Sequence, residues 1–290
     1  MNNRQSTLHC PRCRRLISKS SQSCIYCGLR YPNIIASIPL LGSLIQGRIS
    51  LVDPITIVCF TLYVLALVLD TSQMFASGGL FNFLSPTTLS LIKVGAGGRY
   101  PMSAGHWWSL STATYLHGSI LHILFNMLWL RQIGPLVEEL FGASRFFVIY
   151  TVAGLTGSII SVLAGTPLFV GASGAIFGLF ATLIYYGWHR GGTFGSAIFR
   201  QMLIWGAIAF LFGFMAKGVD NWGHLGGFIG GGLAAILLGY QERKPQDLSH
   251  HILATMALIF VLLCFGLQIK VFLTGEWVNA ITSILRFLPG

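Results

Sequence analysis

The sequence predicts an all-α polytopic membrane protein with seven transmembrane helices and a small zinc ribbon at its N-terminus. Three observations carry that prediction. Of the 290 residues 54% are hydrophobic and 9% charged, with a mean hydropathy of +0.72, whereas soluble domains carry about 25% charged residues. The apolar residues come in separate runs of about 16 to 19, long enough to cross a bilayer. Four of the six cysteines fall before residue 28, in a segment too short to build a core. The net charge of +10 is what cytoplasmic loops facing anionic headgroups require, so membrane lipids are the expected partner and nucleic acid is not.

Residues 1–31 hold Cys10-Pro-Arg-Cys13 and Cys24-Ile-Tyr-Cys27. Two Cys-x-x-Cys turns place four thiolates where one tetrahedral zinc collects them, and the metal supplies stability to the short segment. A pair of disulfides or merely reduced thiols are the alternatives, and a reducing cytoplasm favours the metal over the disulfides. Arg12, Arg14, Arg15 and Lys19 make the ribbon basic, as a headgroup-facing module or one docking a cytoplasmic partner would be, although a solvated charged face reads the same way. No cleavable leader is expected, because cysteines and basic residues interrupt the segment where an apolar core would be needed. Residues 32–51 read as an interfacial linker.

Spans are expected at about 54–69, 118–133, 146–164, 173–188, 201–216, 222–240 and 252–270. Between the first two runs a long connection, about 71–116, is rich in Gly, Ser, Phe and Trp and broken by Pro86 and Pro101. Its aromatic content suits a loop half-sunk in the membrane interface. With the N-terminus inside, thirteen of the 18 Lys and Arg residues fall on the inner side, which sets the N-terminus in the cytoplasm and the C-terminus outside. Cys59 and Cys264 lie in apolar runs and read as small core residues.

Candidate chemistry gathers at residues 170–178, Val-Gly-Ala-Ser-Gly-Ala-Ile-Phe-Gly. Ser173 stands between Gly171 and Gly174 where a helical run begins, so the backbone can bend sharply and the first free N–H groups of the helix point outward. Ala175 stands where the hydrolase elbow Gly-x-Ser-x-Gly needs glycine, so that elbow is a poor match. Small residues also serve plain helix packing, and the serine gains meaning only with a partner. His224 supplies one. It lies one turn into the sixth span, with Gly227 and Gly231 on its face. That stripe matches Gly174 and Gly178 in the fourth span and lets two backbones approach until an imidazole reaches a hydroxyl. A histidine at membrane depth is costly and marks a function or a buried hydrogen bond.

The second span adds His122 and Asn126, four apart on one helix face, both able to donate to a developing oxyanion. Hydrogen bonding between helices without catalysis is the alternative. Zinc ligation by His117 and His122 is a rival chemistry, weakened because the two are five residues apart, off one face, with no local carboxylate to complete a set.

Taken together, His117-x4-His122-x3-Asn126, Gly171-Ala-Ser173-Gly174 and His224-x-Gly226-Gly227 resemble the rhomboid intramembrane serine proteases. The resemblance covers residues 52–240 and implies a six-helix catalytic core, followed over 241–290 by a seventh transmembrane helix and an amphipathic tail. It implies Ser173 as nucleophile and His224 as general base and acid. The N–H of Ser173 with the side chains of His122 and Asn126 would form the oxyanion hole, and His117 would tie down the first loop. Phe177, where some relatives carry tyrosine, would stack under His224. Trp108-Ser109 stands where many relatives have Trp-Arg, and Glu138 falls where the family has a structural carboxylate. The resemblance implies no cofactor for catalysis, transmembrane proteins as substrates, and cleavage near the outer leaflet, with a bacterial inner membrane as the expected location. A catalytically silent protein that binds or traffics client helices shares the fold. A small transporter is disfavoured, because the polar residues sit near one membrane face and not at the midplane.

Overall fold

The computed structural model describes residues 7–10, 15–26, 50–73, 83–215, 218–244, 246–279 and 282. The chain forms two units, residues 1–53 and 54–290. In the first, β1 (Thr7–His9) and β2 (Leu16–Ser18) pair antiparallel, with Leu8 opposite Ile17. Cys10, Ile17 and Cys24 pack as one buried cluster with Leu8 against it. Two of the four expected zinc ligands therefore come together, whereas Cys13, Cys27 and the expected linker as far as residue 49 lie outside the described residues.

The helices run α1 (Val52–Leu69), α2 (Thr88–Val94), α3 (Arg99–Ser103), α4 (Ser109–Thr112), α5 (Ile120–Phe141), α6 (Ala143–Leu163), α7 (Ser173–Arg190), α8 (Gly192–Met215), α9 (Asn221–Leu238) and α10 (Leu248–Thr274). Among the described residues seven of these have 18 residues or more. Five, namely α1, α5, α6, α8 and α10, are long and apolar enough to cross a membrane. The protein is thus an all-α, multi-pass membrane protein. The two long helices outside that set, α7 and α9, carry the facing glycines, Ser173 and His224. α9 lies between α6 and α7, so much of its surface meets protein.

Three elements differ from their sequence expectation. α5 runs through Pro135 to Phe141 instead of stopping at 133, because the loss of one main-chain hydrogen bond at proline is outweighed by burial of Val137, Leu140 and Phe141. α8 starts nine residues earlier than expected, at Gly192 and directly after Gly191, whose φ values are +68° and +66°. It carries Arg200 and Gln201 on its exposed side. Finally, residues 88–112 of the connection after α1 contain α2, α3 and α4, so this part is folded and not an irregular loop.

The seventh long helix is built into this connection. Buried Gln268 of α10 accepts from Trp108 Nε1 at 2.8 Å and donates through Nε2 to the Lys93 carbonyl at 2.9 Å. Around it Trp107 packs on Phe260 and Tyr115 on Phe265. Cys59 and Cys264 are both fully buried. At the other end of α10, Asp247 is the N-cap: it accepts from the amides of Ser249 and His250 and from the Ser249 hydroxyl, while its own N–H donates to His250 Nδ1. These bonds, that of the Ser249 hydroxyl foremost, hold the Asp247 carboxyl down at about 2.

Two outcomes are expected. Gln268→Leu strands the indole N–H of Trp108 and the Lys93 carbonyl, at about 1–3 kcal/mol for each buried group left unpaired, and the apparent Tm in detergent falls. For Asp247 the depressed folded value means that its contribution is full above the unfolded value of about 3.9 and is lost as pH drops through about 2. Asp247→Ala therefore lowers the Tm near pH 6 and converges on wild type near about pH 2; a gap that does not shrink on acidification would count against this cap.

Candidate active site

Ser173 is the first residue of α7, and the segment before it is held by main chain. Gly97 and Phe169 exchange two hydrogen bonds, at 3.1 and 2.8 Å, in an isolated antiparallel bridge. The N–H of Arg99 donates to Thr166 O at 2.9 Å and that of Gly171 to Ala113 O, also at 2.9 Å. Gly98 makes this possible: its φ is +141°, and a side chain there would strike the Pro167 carbonyl. The connection 88–117 thus straps down residues 166–171. At Ala172 no side chain caps α7, so the first N–H groups of the helix stay directed at whatever lies above Ser173.

His224 reaches this point because α9 and α7 touch backbone to backbone. A methyl at Gly227 would overlap the Gly174 carbonyl, and one at Gly231 would overlap the Gly178 backbone. On its other side α9 uses Gly226 and Gly230 to fit against Thr156 and Ile160 of α6. With the two helices this close, His224 Nε2 lies 2.9 Å from Ser173 Oγ. The ring stacks on Phe177, centroids 4.3 Å apart and planes 22° from parallel. The stack fixes the imidazole plane, and no hydroxyl is available at residue 177 to bond it.

His122 faces the same spot from α5. A side chain at Gly171, whose φ is +134°, would fall 2.7 Å from His122 Nε2 and 3.6 Å from Ser173 Oγ. The space that glycine leaves open is therefore shared by the serine hydroxyl and an imidazole nitrogen. His122 Nδ1 accepts from the Gly118 N–H at 3.3 Å, which leaves Nε2 as the protonated, donating nitrogen of a neutral ring. Asn126 donates through Nδ2 to its own helix, at the His122 carbonyl, 2.8 Å away. Only its second amide hydrogen is available for a ligand. His117, fully buried, stands edge-on to the His122 ring, centroids 5.1 Å apart.

Beside Ser173 is a cavity of about 30 Å³, lined among others by Gly157, Ser158, Gly171, Gly174, Asp220 and Gly223. That is room for one water. Asp220 and the serines of α6 were not singled out by sequence reasoning. Asp220 accepts from the Ser161 hydroxyl and, at 3.1 Å, from the Gly223 N–H as N-cap of α9. One signal was available for it, an aspartate directly before a helical run; Ser161 offered none.

The chain contains a Rhomboid domain over residues 104–241. It is 40% identical over 155 residues to the rhomboid protease GluP of Bacillus subtilis (strain 168), covering 53% of this chain and 31% of GluP. To RHOMBOID-like protein 5 of Arabidopsis thaliana it is 36% identical over 154 residues, covering 51% and 49% of the two chains. To YdcA, a rhomboid of Bacillus subtilis (strain 168), it is 34% identical over 143 residues, 48% of this chain and 71% of YdcA. The chain thus spans about a third of GluP and half of RHOMBOID-like protein 5, and most of YdcA.

If the glycine contact sets the helix spacing, Gly227→Ala spreads α7 from α9 or forces an overpacked interface, at a cost of about 1–3 kcal/mol. Gly232→Ala is the control, since its methyl would meet only Ala181 Cβ, at 3.4 Å. Thermal unfolding in detergent should show a clear loss for the first and little for the second. Equal Tm values would remove the contact from its assigned role.

Proposed function

Because this chain belongs to the rhomboid family, we propose that it is an intramembrane serine endopeptidase with Ser173 as nucleophile and His224 as general base and acid. The observation that carries the reading is the 2.9 Å hydrogen bond between Ser173 Oγ and His224 Nε2. It joins a hydroxyl at a helix start to an imidazole clamped by an aromatic ring, beside a donor nitrogen of His122. A neutral imidazole accepts the serine proton while Oγ attacks a peptide carbonyl carbon, giving a tetrahedral oxyanion. The N–H of Ser173, His122 Nε2 and the second amide hydrogen of Asn126 are the donors for that oxygen. Collapse breaks the C–N bond as the imidazolium returns its proton to the leaving amine. A water then gives its proton to His224 and attacks the acyl-enzyme, freeing the acid and restoring Ser173.

The substrate class is transmembrane segments of other proteins, reaching the site sideways from the bilayer and unwinding near the outer leaflet, because a helical carbonyl is shielded by its own hydrogen bond. On this reading all seven long helices span the membrane, α7 and α9 as interior members, with the N-terminus cytoplasmic and the C-terminus outside in a bacterial inner membrane. The ribbon thiolates of Cys10, Cys13, Cys24 and Cys27 would hold one structural zinc, which supplies stability and no catalysis. The shared burial of Cys10 and Cys24 in one cluster fits that use, and a cytoplasmic partner would meet the ribbon there.

Purified protein incubated with a single-span polypeptide in detergent should cleave it, and Ser173→Ala and His224→Ala should abolish cleavage. His122→Ala should lower the rate by about 100- to 1,000-fold. Cleavage indifferent to Ser173 would overturn the assignment, and no cleavage by wild type would favour the silent, client-binding reading. For the ribbon, zinc content should fall in Cys10→Ser with Cys13→Ser, and equal zinc would refute the site.

A further inference from the structure

Asp220 stands at the start of α9 and touches both neighbours of the site. Its Oδ1 accepts from the Gly223 N–H at 3.1 Å, and its main-chain carbonyl accepts from the His224 N–H at 3.1 Å. Its Oδ2 accepts from the hydroxyl of Ser161, near the end of α6. The carboxylate also lines the small cavity that Ser173 faces, yet it makes no hydrogen bond to the imidazole. The glycine contacts fix how far α9 stands from α7 and α6, but glycines have no side chain to stop the helix from turning about its axis or sliding along it. A displacement of about 1 Å would take Nε2 out of hydrogen-bond range of Oγ. Something must set the register of the first turn, and Asp220 is the group placed to do so.

We propose that Asp220 is a positioning residue, pinning the first turn of α9 to α6 through Ser161 so that the His224 ring meets Ser173. This rests on the dyad reading above. The carboxylate acts through hydrogen-bond geometry and not through its charge, which gives the proposal a distinctive consequence. In Asp220→Asn the amide oxygen still caps Gly223 and the amide N–H₂ donates to the Ser161 hydroxyl, so both ties survive with one reversed in polarity. In Asp220→Ala both are lost.

The experiment uses the full chain in detergent and a fluorophosphonate probe, which reports serine activation without a transmembrane substrate. The maximal labelling rate should fall about 10- to 100-fold in Asp220→Ala, the scale of losing hydrogen bonds to a charged group, with the half-saturating probe concentration unchanged. Ser161→Ala should fall less, the double alanine variant no further than Asp220→Ala, and Asp220→Asn should stay within about threefold of wild type. A wild-type rate in Asp220→Ala overturns the proposal, and so does an Asp220→Asn as slow as Asp220→Ala, which would make the charge the active feature. Hydrogen exchange at residues 221–226 in a Ser173→Ala background separates this idea from the dyad. Faster exchange in Asp220→Ala than in Asp220→Asn supports the tie even if wild type shows no serine-dependent labelling, the result that would sink the dyad alone, whereas unchanged exchange refutes the tie.

Discussion

The contact between the backbones of α7 and α9 is the constraint on which the site depends. In a bilayer the hydrophobic effect does not press helices together, since lipid tails are as apolar as leucine; helices associate through close van der Waals fit and buried polar contacts. Gly174 and Gly178 on one helix meet Gly227 and Gly231 on the other, so the axes approach more closely than any side chain would allow. Ser173 and His224, 51 residues apart in sequence, fall within hydrogen-bond distance as a result. The small residues of α7 and α9 are spent on protein contact, whereas α8 and α10 face outward, with only 17% of their apolar stretches buried.

A rigid helix pair is not enough, because Ser173 sits at a helix end, where a chain frays most easily. Here the fold uses main chain in place of side chains. Residues 166–171 are bridged to Gly97, Arg99 and Ala113, and those residues belong to the connection that Gln268 of α10 grips through Trp108 and Lys93. A helix that contributes no atom to the candidate site thus supports it through two layers. α10 is continuous with the site mechanically, even though it follows the Rhomboid domain in sequence.

Much of this was legible from the residues because the signals are periodic or local. Apolar runs located all seven long helices, and the glycine spacings in 174–178 and 227–231 named the face on which Ser173 and His224 meet. Helix ends were less legible. Gly134-Pro135 reads as a stop, yet burial beyond it keeps α5 helical, and Arg200 reads as a boundary although α8 simply carries it outward. The connection 88–117 folds into short helices that no run of apolar residues announces. Ties such as Ser161 to Asp220 and Trp108 to Gln268 join residues 59 and 160 apart; each is a single polar contact without a repeat, and only the tertiary fold creates it.

The kind of polar group used inside the bundle follows from the solvent outside it. Ser109 is buried, 1% exposed, beside the tryptophan where the resemblance leads one to expect an arginine. A guanidinium in that position must be desolvated and paired to be tolerated. The amide of Gln268 does the anchoring at lower cost: it carries no net charge, and its oxygen and nitrogen find an indole N–H and a carbonyl. Several full charges lie at helix ends, as in the pair of Arg190 with Glu242 at 2.9 Å and the cap at Asp247, and the fully buried Arg145, in the first turn of α6, donates to the carbonyls of Phe141 and Lys244. In a low-dielectric surround neutral hydrogen-bonded groups cost less than unpaired charges, and the hydrogen bond between Ser173 and His224 is of that kind.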